Sequence, residues 1–358
     1  MHIPRKVSLV IALALVASIV SLQPANAVVE WELVDDPVSL GMNGVSPHVE
    51  KTASGDRVWR SDMVPGGTAV SLCSEAGSCT SESLQFAEQG GASDFSVAQT
   101  QSGLRAYFKR INMQSNTQAV FSAPCLTADC LSIGSATLTS TGMQVSKDEK
   151  AWGVPDPVRL PDGRVRIYIV ESPVFGKCLE KIASYISTDG ISFTKETGWR
   201  LEGGFVDTKV LRAKDGDWVM ILADIGCTST NNQKLFVSSS TDGLTWTKPE
   251  VLTGAGEFKF DPTGYEISTN VFRIYYSAGA MNSTQVLKRA TLRIKDTAGA
   301  SGVGVTKVTT PSSKAKTITC VKGKTTRKVV GYEVSGGFQE EVVACCISSL
   351  HHCSVRRR

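Results

Sequence analysis

The chain has 358 residues, of which 41% are hydrophobic, 20% charged and 7% aromatic, with 32 Gly, 10 Cys and 4 His. That length holds one large domain or two ordinary ones with ample core, and low charge with abundant Gly and Cys disfavours a coiled coil, a disordered chain or a helical bundle. A formal net charge of +4 is too small to mark a nucleic-acid binder without a local patch, so no nucleic-acid partner is expected.

Residues 1–27 read as a secretory signal. Arg5 and Lys6 form the positive region, Val7 to Leu22 the apolar stretch, and Ala25-Asn26-Ala27 a cleavage site after Ala27. The apolar run is shorter than the ~20 residues that span a bilayer, which leaves an uncleaved anchor as the competing reading. The mature chain is expected to be exported, soluble and monomeric. Export makes the cysteines disulfide candidates before metal ligands. With His48 the single histidine of the body, no zinc site and no other metal is expected.

An internal repeat then sets the fold. Residues 184–198 and 236–254 share Ser-Thr-Asp-Gly-[Ile/Leu]-[Ser/Thr]-[Phe/Trp]-Thr-Lys, and Asp189-Gly190 and Asp242-Gly243 are hairpin signals between alternating apolar positions. Phe193 and Trp246 follow as core residues. Upstream lie paired strands: Val49 to Trp59, Val97 to Tyr107, Val158 to Tyr168, Val210 to Met220 and, more weakly, Tyr265 to Tyr275. Five units of four short antiparallel strands predict an all-β, five-bladed propeller over 28–296, which answers the edge-strand problem by radial repetition. Unit five lacks an outer strand after 284–294, and 28–41 has the layout to supply it, with Trp31 in the place of Trp246. Cysteines stand where units one and two turn, so Cys73–Cys79 and Cys125–Cys130 are expected as local bridges and Cys178–Cys227 as a link between neighbouring blades.

The Ser-Thr-Asp-Gly hairpins resemble the Asp-box turns of sialidases. Residues 156–168, Asp-Pro-Val-Arg-Leu-Pro-Asp-Gly-Arg-Val-Arg-Ile-Tyr, resemble the inner strands of five-bladed glycoside hydrolases of the arabinanase and invertase type. The resemblance implies the propeller, a carbohydrate or cell-envelope glycan as partner, and glycosidase-like chemistry in the axial funnel. Asp-box turns imply structure and not an active site.

Candidate chemistry sits two to four residues before each inner-strand repeat, at Asp94, Asp156, Asp207 and Asp261. A ring of carboxylates is what glycoside hydrolysis uses, one protonated and one ionised. The competing reading is structural, because Asp at a strand start fixes turns through backbone hydrogen bonds. In the resembled hydrolases the first blade carries a nucleophile or base, the second an orienting Asp and the third a Glu proton donor. By position Asp94 matches the second, the third slot holds Asp156, and the first holds Ser46-Pro47-His48 with no carboxylate. His48, Trp152, Glu171, Asp224 and Tyr265 are expected as substrate-binding residues, each with packing or a solvated loop as its alternative. No cofactor is expected, and no loop of calcium-ligand spacing supports calcium.

Residues 297–316 read as a Ser/Thr/Lys-rich linker, and 317–358 as a short basic, Cys-containing tail. Residues 300–358 carry ten Lys/Arg and three Glu, which leaves the body acidic. The tail is expected to attach to anionic envelope surfaces. Residues 317–331 resemble a terminal segment of bacterial secreted proteins, and the pattern breaks after Gly331, as a degenerate or frameshifted end over 332–358 would.

Overall fold

The computed structural model describes residues 29–36, 38–62, 64, 67–88, 91–112, 117–146, 153–172, 178–213, 215–225, 233–253, 258–279 and 283–295, and strands at 315–322, 325–334, 337–338 and 352–354. The signal segment, Trp152 and Cys227 lie outside the described residues. The chain divides into two compact units, 1–295 and 296–358.

The first unit is a five-bladed propeller of antiparallel sheets. Blade one runs Val45–Thr52, Gly55–Ser61, Thr68–Cys73 and Cys79–Glu82 from the inside outward. Blade two runs Ser93–Thr100, Gly103–Asn112 and Thr117–Pro124, with an outer edge split between Thr137–Leu138 and Gln144–Ser146. Blade three runs Asp156–Arg159, Val165–Glu171 and Lys181–Ser187, with outer pieces Thr194–Lys195 and Leu201–Glu202. Blade four runs Phe205–Arg212, Trp218–Asp224, Leu235–Ser240 and Glu250–Val251. Each inner strand packs beside the inner strands of both neighbouring blades, and the order returns from five to one.

Blade five closes the ring. Its strands Lys259–Ser268, Val271–Ala278 and Val286–Ile294 come from the end of the unit, and its outer strand is Trp31–Asp35. Trp31 pairs with Ile294 and Asp35 with Ala290. The Trp31 indole packs on Phe272 with ring centroids 6.0 Å apart. Asp35 accepts from Lys259 Nζ at 2.8 Å and from the Tyr276 hydroxyl at 2.7 Å. The closure is therefore a sheet edge satisfied by the far end of the same chain, as the missing outer strand predicts.

The two repeated turns are built alike. Asp189 Oδ1 accepts from the amides of Ile191 and Ser192 at 2.7 and 3.0 Å, and Asp242 Oδ1 from those of Leu244 and Thr245, both at 2.7 Å. Those two amides hold the Asp242 carboxyl down at about 2. Gly190 and Gly243 have φ of 75° and 70°, the region that glycine enters without cost. A tyrosine from the preceding blade docks each turn: Tyr107 Oη donates to the Gly190 carbonyl and Tyr168 Oη to that of Gly243, both at 2.7 Å. Phe193 is buried, and Trp246 is half-buried edge-on to Tyr168.

Cys73–Cys79 and Cys125–Cys130 are disulfides, as their turn positions predict. Cys178 is disulfide-bonded as well. In the second unit Ala315–Lys322 pairs antiparallel with Thr325–Val334, flanked by His352–Ser354 and Gly337–Phe338. Among the described residues no helix is long and apolar enough to cross a membrane.

Candidate functional site

The aspartate series marks a repeated backbone device. Ser46, Asp94, Asp207 and Asp261 all have left-handed backbones, with φ of 48°, 53°, 52° and 49°. Each sits in a register shift of its inner strand, between Val45 and His48, Ser93 and Ser96, Val206 and Lys209, and Phe260 and Thr263. Such a bulge leaves one residue unpaired and re-aims its side chain. Asp enters the left-handed region more readily than most residues because its short carboxylate bonds locally. Blade three lacks the shift, and Asp156 pairs in register with Tyr168.

These residues join each blade to the next. Between blades one and two, the Val97 amide lies 3.2 Å from His48 Nε2 and the Asp94 amide donates to Ser61 Oγ at 2.9 Å. Between two and three, Ser96 Oγ donates to the Pro155 carbonyl at 2.7 Å. Between three and four, Asp156 accepts from Lys209 Nζ at 2.8 Å and from the Val210 amide. Between four and five, the carboxyls of Asp207 and Asp261 share a hydrogen bond. Between five and one, Asp261 Oδ2 accepts from the Ser46 amide at 2.8 Å. Every seam of the ring carries a polar link from this one layer.

The electrostatics follow from burial. Asp94, Asp156, Asp207 and Asp261 are each less than a tenth exposed. Lys109, from the second strand of blade two, pairs with Asp94 and feels the charges of Asp207 and Asp261. Burial works against its ammonium, but the surrounding carboxylates outweigh burial and raise its pKa. Burial and the neighbouring Asp261 push Asp207 well above the ordinary carboxylate range, so the pair holds a proton to higher pH than separate carboxyls would. Burial lifts Asp261 to about 6 against the pull of the Ser46 amide. His48 is buried, and desolvation lowers its pKa despite Glu50 at 3.1 Å. It is neutral near pH 7.

The remaining sequence candidates stand apart from this cluster. Glu171 lies in a cleft between blades two and three, where Oε1 accepts from Tyr185 Oη and Oε2 from Lys195 Nζ, both at 2.6 Å. Asp224 is fully buried, and its Oδ1 accepts from the Lys234 amide at 3.0 Å, which fixes a loop start. Tyr265 lies four residues beyond Asp261 along an extended strand that rises about 3.3 Å per residue, and its hydroxyl donates to Asp56 at 2.6 Å. Tyr275 donates to the other oxygen of Asp56, also at 2.6 Å. Sequence reasoning missed Lys109 and Lys209. Lys209 sits two residues after Asp207, at the place His48 holds in unit one, and that offset is the signal that marks it.

Chemically, the arrangement holds two carboxyls, Asp207 and Asp261, in direct hydrogen-bond contact. A glycosidic acid and its partner instead need about 5–9.5 Å between carboxyls to admit sugar and water. Among the described residues no group of three or more His, Cys, Asp and Glu is disposed to hold a metal ion.

No protein-family model and no curated protein matches the chain in sequence. Solved structures do match in fold. A thermostable family-43 glycoside hydrolase superposes with a TM-score of 0.53 at 12% identity, over 78% of this chain and 100% of that one. The endo-arabinase of Bacteroides thetaiotaomicron matches with a TM-score of 0.54 at 11% identity, over 75% and 99%. An N-acetylgalactosamine deacetylase from F. plautii, in complex with blood group B trisaccharide, matches with a TM-score of 0.53 at 13% identity, over 73% and 95%. The likeness spans whole neighbouring chains and shows that this chain has the five-bladed propeller fold of the arabinanase-type glycosidases.

Proposed function

We propose that this chain is an exported propeller that binds carbohydrate, and that its axial aspartates hold the blades together without cleaving glycosidic bonds. The observation that carries the reading is the way the carboxylates are used. Asp156 is taken up by Lys209 and a backbone amide, Asp94 by Lys109, and Asp207 and Asp261 by each other and Ser46. These carboxyls are also less than a tenth exposed, so a substrate has little of their surface to reach. Carbohydrate as the ligand is supported by the fold neighbours, a glycoside hydrolase, an endo-arabinase and a trisaccharide-bound deacetylase. Export is supported by the disulfides and the signal-like start. The Asp189 and Asp242 turns act in this reading as Asp-box-like structural hairpins, and the basic segment 297–358 attaches the propeller to anionic envelope surfaces.

One observation favours hydrolysis: a proton-holding Asp207 beside an ionisable Asp261 divides acid from base. A glycan array and a chromogenic-glycoside screen separate the two readings, using wild type with Asp94→Asn and Asp207→Asn. The expected result is glycan binding, no turnover, and binding within about twofold of wild type in both folded variants. Turnover that either substitution abolishes overturns the proposal in favour of the hydrolase.

A further inference from the structure

A cleft of about 580 Å³ opens between blades two and three. It falls within the ~300–1,000 Å³ span of small-molecule sites. Its lining includes Lys109 and the apolar side chains of Val120, Met143 and Ile169. Glu171, Lys181 and Trp199 line it as well. Trp199 keeps 37% of its surface exposed, the only tryptophan among the exposed large apolar residues described. The ammonium groups of Lys195 and Lys181 lie 4.2 and 5.1 Å from the centre of its ring, within cation–π range.

The charges at this cleft are already matched. Lys109 pairs with Asp94, Lys181 with Glu202 at 2.8 Å, and Lys195 with Glu171 at 2.6 Å. An acidic or basic ligand would have to break one of these pairs to find a counter-ion. An uncharged ligand with an apolar side and a hydroxylated side does not. We propose that the cleft binds a neutral sugar ring of a glycan, with its C–H face toward the apolar lining and Trp199 and its hydroxyls toward Glu171 and Lys181. Carboxylate and ammonium groups that are paired with one another still have lone pairs and N–H groups for hydroxyls. The inference rests on the carbohydrate reading above and places the binding site in the cleft between blades two and three.

The test is an array of neutral oligosaccharides ending in glucose, galactose, mannose, xylose or arabinose, beside sialylated and uronic-acid-bearing glycans, followed by titration of the strongest neutral binder. Trp199→Ala is expected to weaken that binding at least tenfold, with Val251→Ala on the outer strand of blade four as the unchanged control. Wild-type hydrogen exchange, which needs no variant, is expected to slow at 118–120 and 199–202 on addition of the same glycan. No binding to any glycan overturns the carbohydrate reading itself. Binding to which Trp199→Ala is indifferent, with no protection at those segments, overturns the cleft and leaves carbohydrate recognition standing. Preference for the acidic glycans overturns the neutral-sugar assignment.

Discussion

Lys109→Met is expected to destabilise the propeller by about 3 kcal/mol at pH 8, the low end of the cost of orphaning a buried charge, because the lysine side chain is partly exposed. The substitution keeps the apolar stem and removes a cation that interacts with Asp94, Asp207 and Asp261. Three buried carboxyls then face one another without that counter-charge, which favours holding protons over mutual repulsion. The loss should shrink toward pH 5, where protonation relieves the repulsion. Urea unfolding at the two pH values checks this. Equal stability of variant and wild type at pH 8 would show that the ammonium does not balance the cluster.

Asp156→Ala is the second large effect, expected at about 3–5 kcal/mol. It leaves the buried Lys209 without its partner and the Val210 amide without its acceptor, at the seam between blades three and four. Much of the cost is the stranded ammonium, so Lys209→Met in the same chain should recover a large part of it. Deleting one member of a buried pair costs more than replacing both. Denaturant unfolding of the two single variants and the double variant checks the cycle. A double variant no more stable than Asp156→Ala would mean that the pair does not act as a unit.

The propeller was legible in the sequence because its units repeat locally. Strand, Asp-Gly turn and strand recur at a nearly constant offset, and the outer strand missing from unit five points to 28–41, where Trp31 indeed packs on Phe272. The local bridges were legible for the same reason, since Cys73 and Cys79 flank one turn. The aspartate series was visible as a position but not as a device. Nothing in Asp94, Asp207 or Asp261 taken singly announces a left-handed bulge, although a small polar residue is what that backbone tolerates. Their partners were illegible because they are distant in the chain. Lys209 is 53 residues from Asp156, and Asp261 meets Ser46 across 215. Trp199 follows no periodic pattern, and its place at a cleft depends on how two blades meet.

The axial carboxyls form a structural layer, and pH reads its shared proton directly. Asp207 and Asp261 both have folded-state pKa values raised above the ordinary 3.8, Asp261 to about 6. Their contribution is therefore fully present below about pH 4 and is lost as pH rises through 6 and beyond. A rise from 3.8 to 6 corresponds to about 3 kcal/mol at most. His48 works in the opposite sense, since its lowered pKa adds stability as pH rises through its unfolded value near 6.5. Wild type and Asp207→Asn share His48, so their difference cancels it. Asn keeps a donor for Asp261 and removes one titrating charge. The decisive measurement is the unfolding free energy of both proteins at pH 5 and pH 8. Asp207→Asn should gain about 1–3 kcal/mol on wild type between those values, and a difference that stays constant from pH 5 to pH 8 would contradict the shared proton.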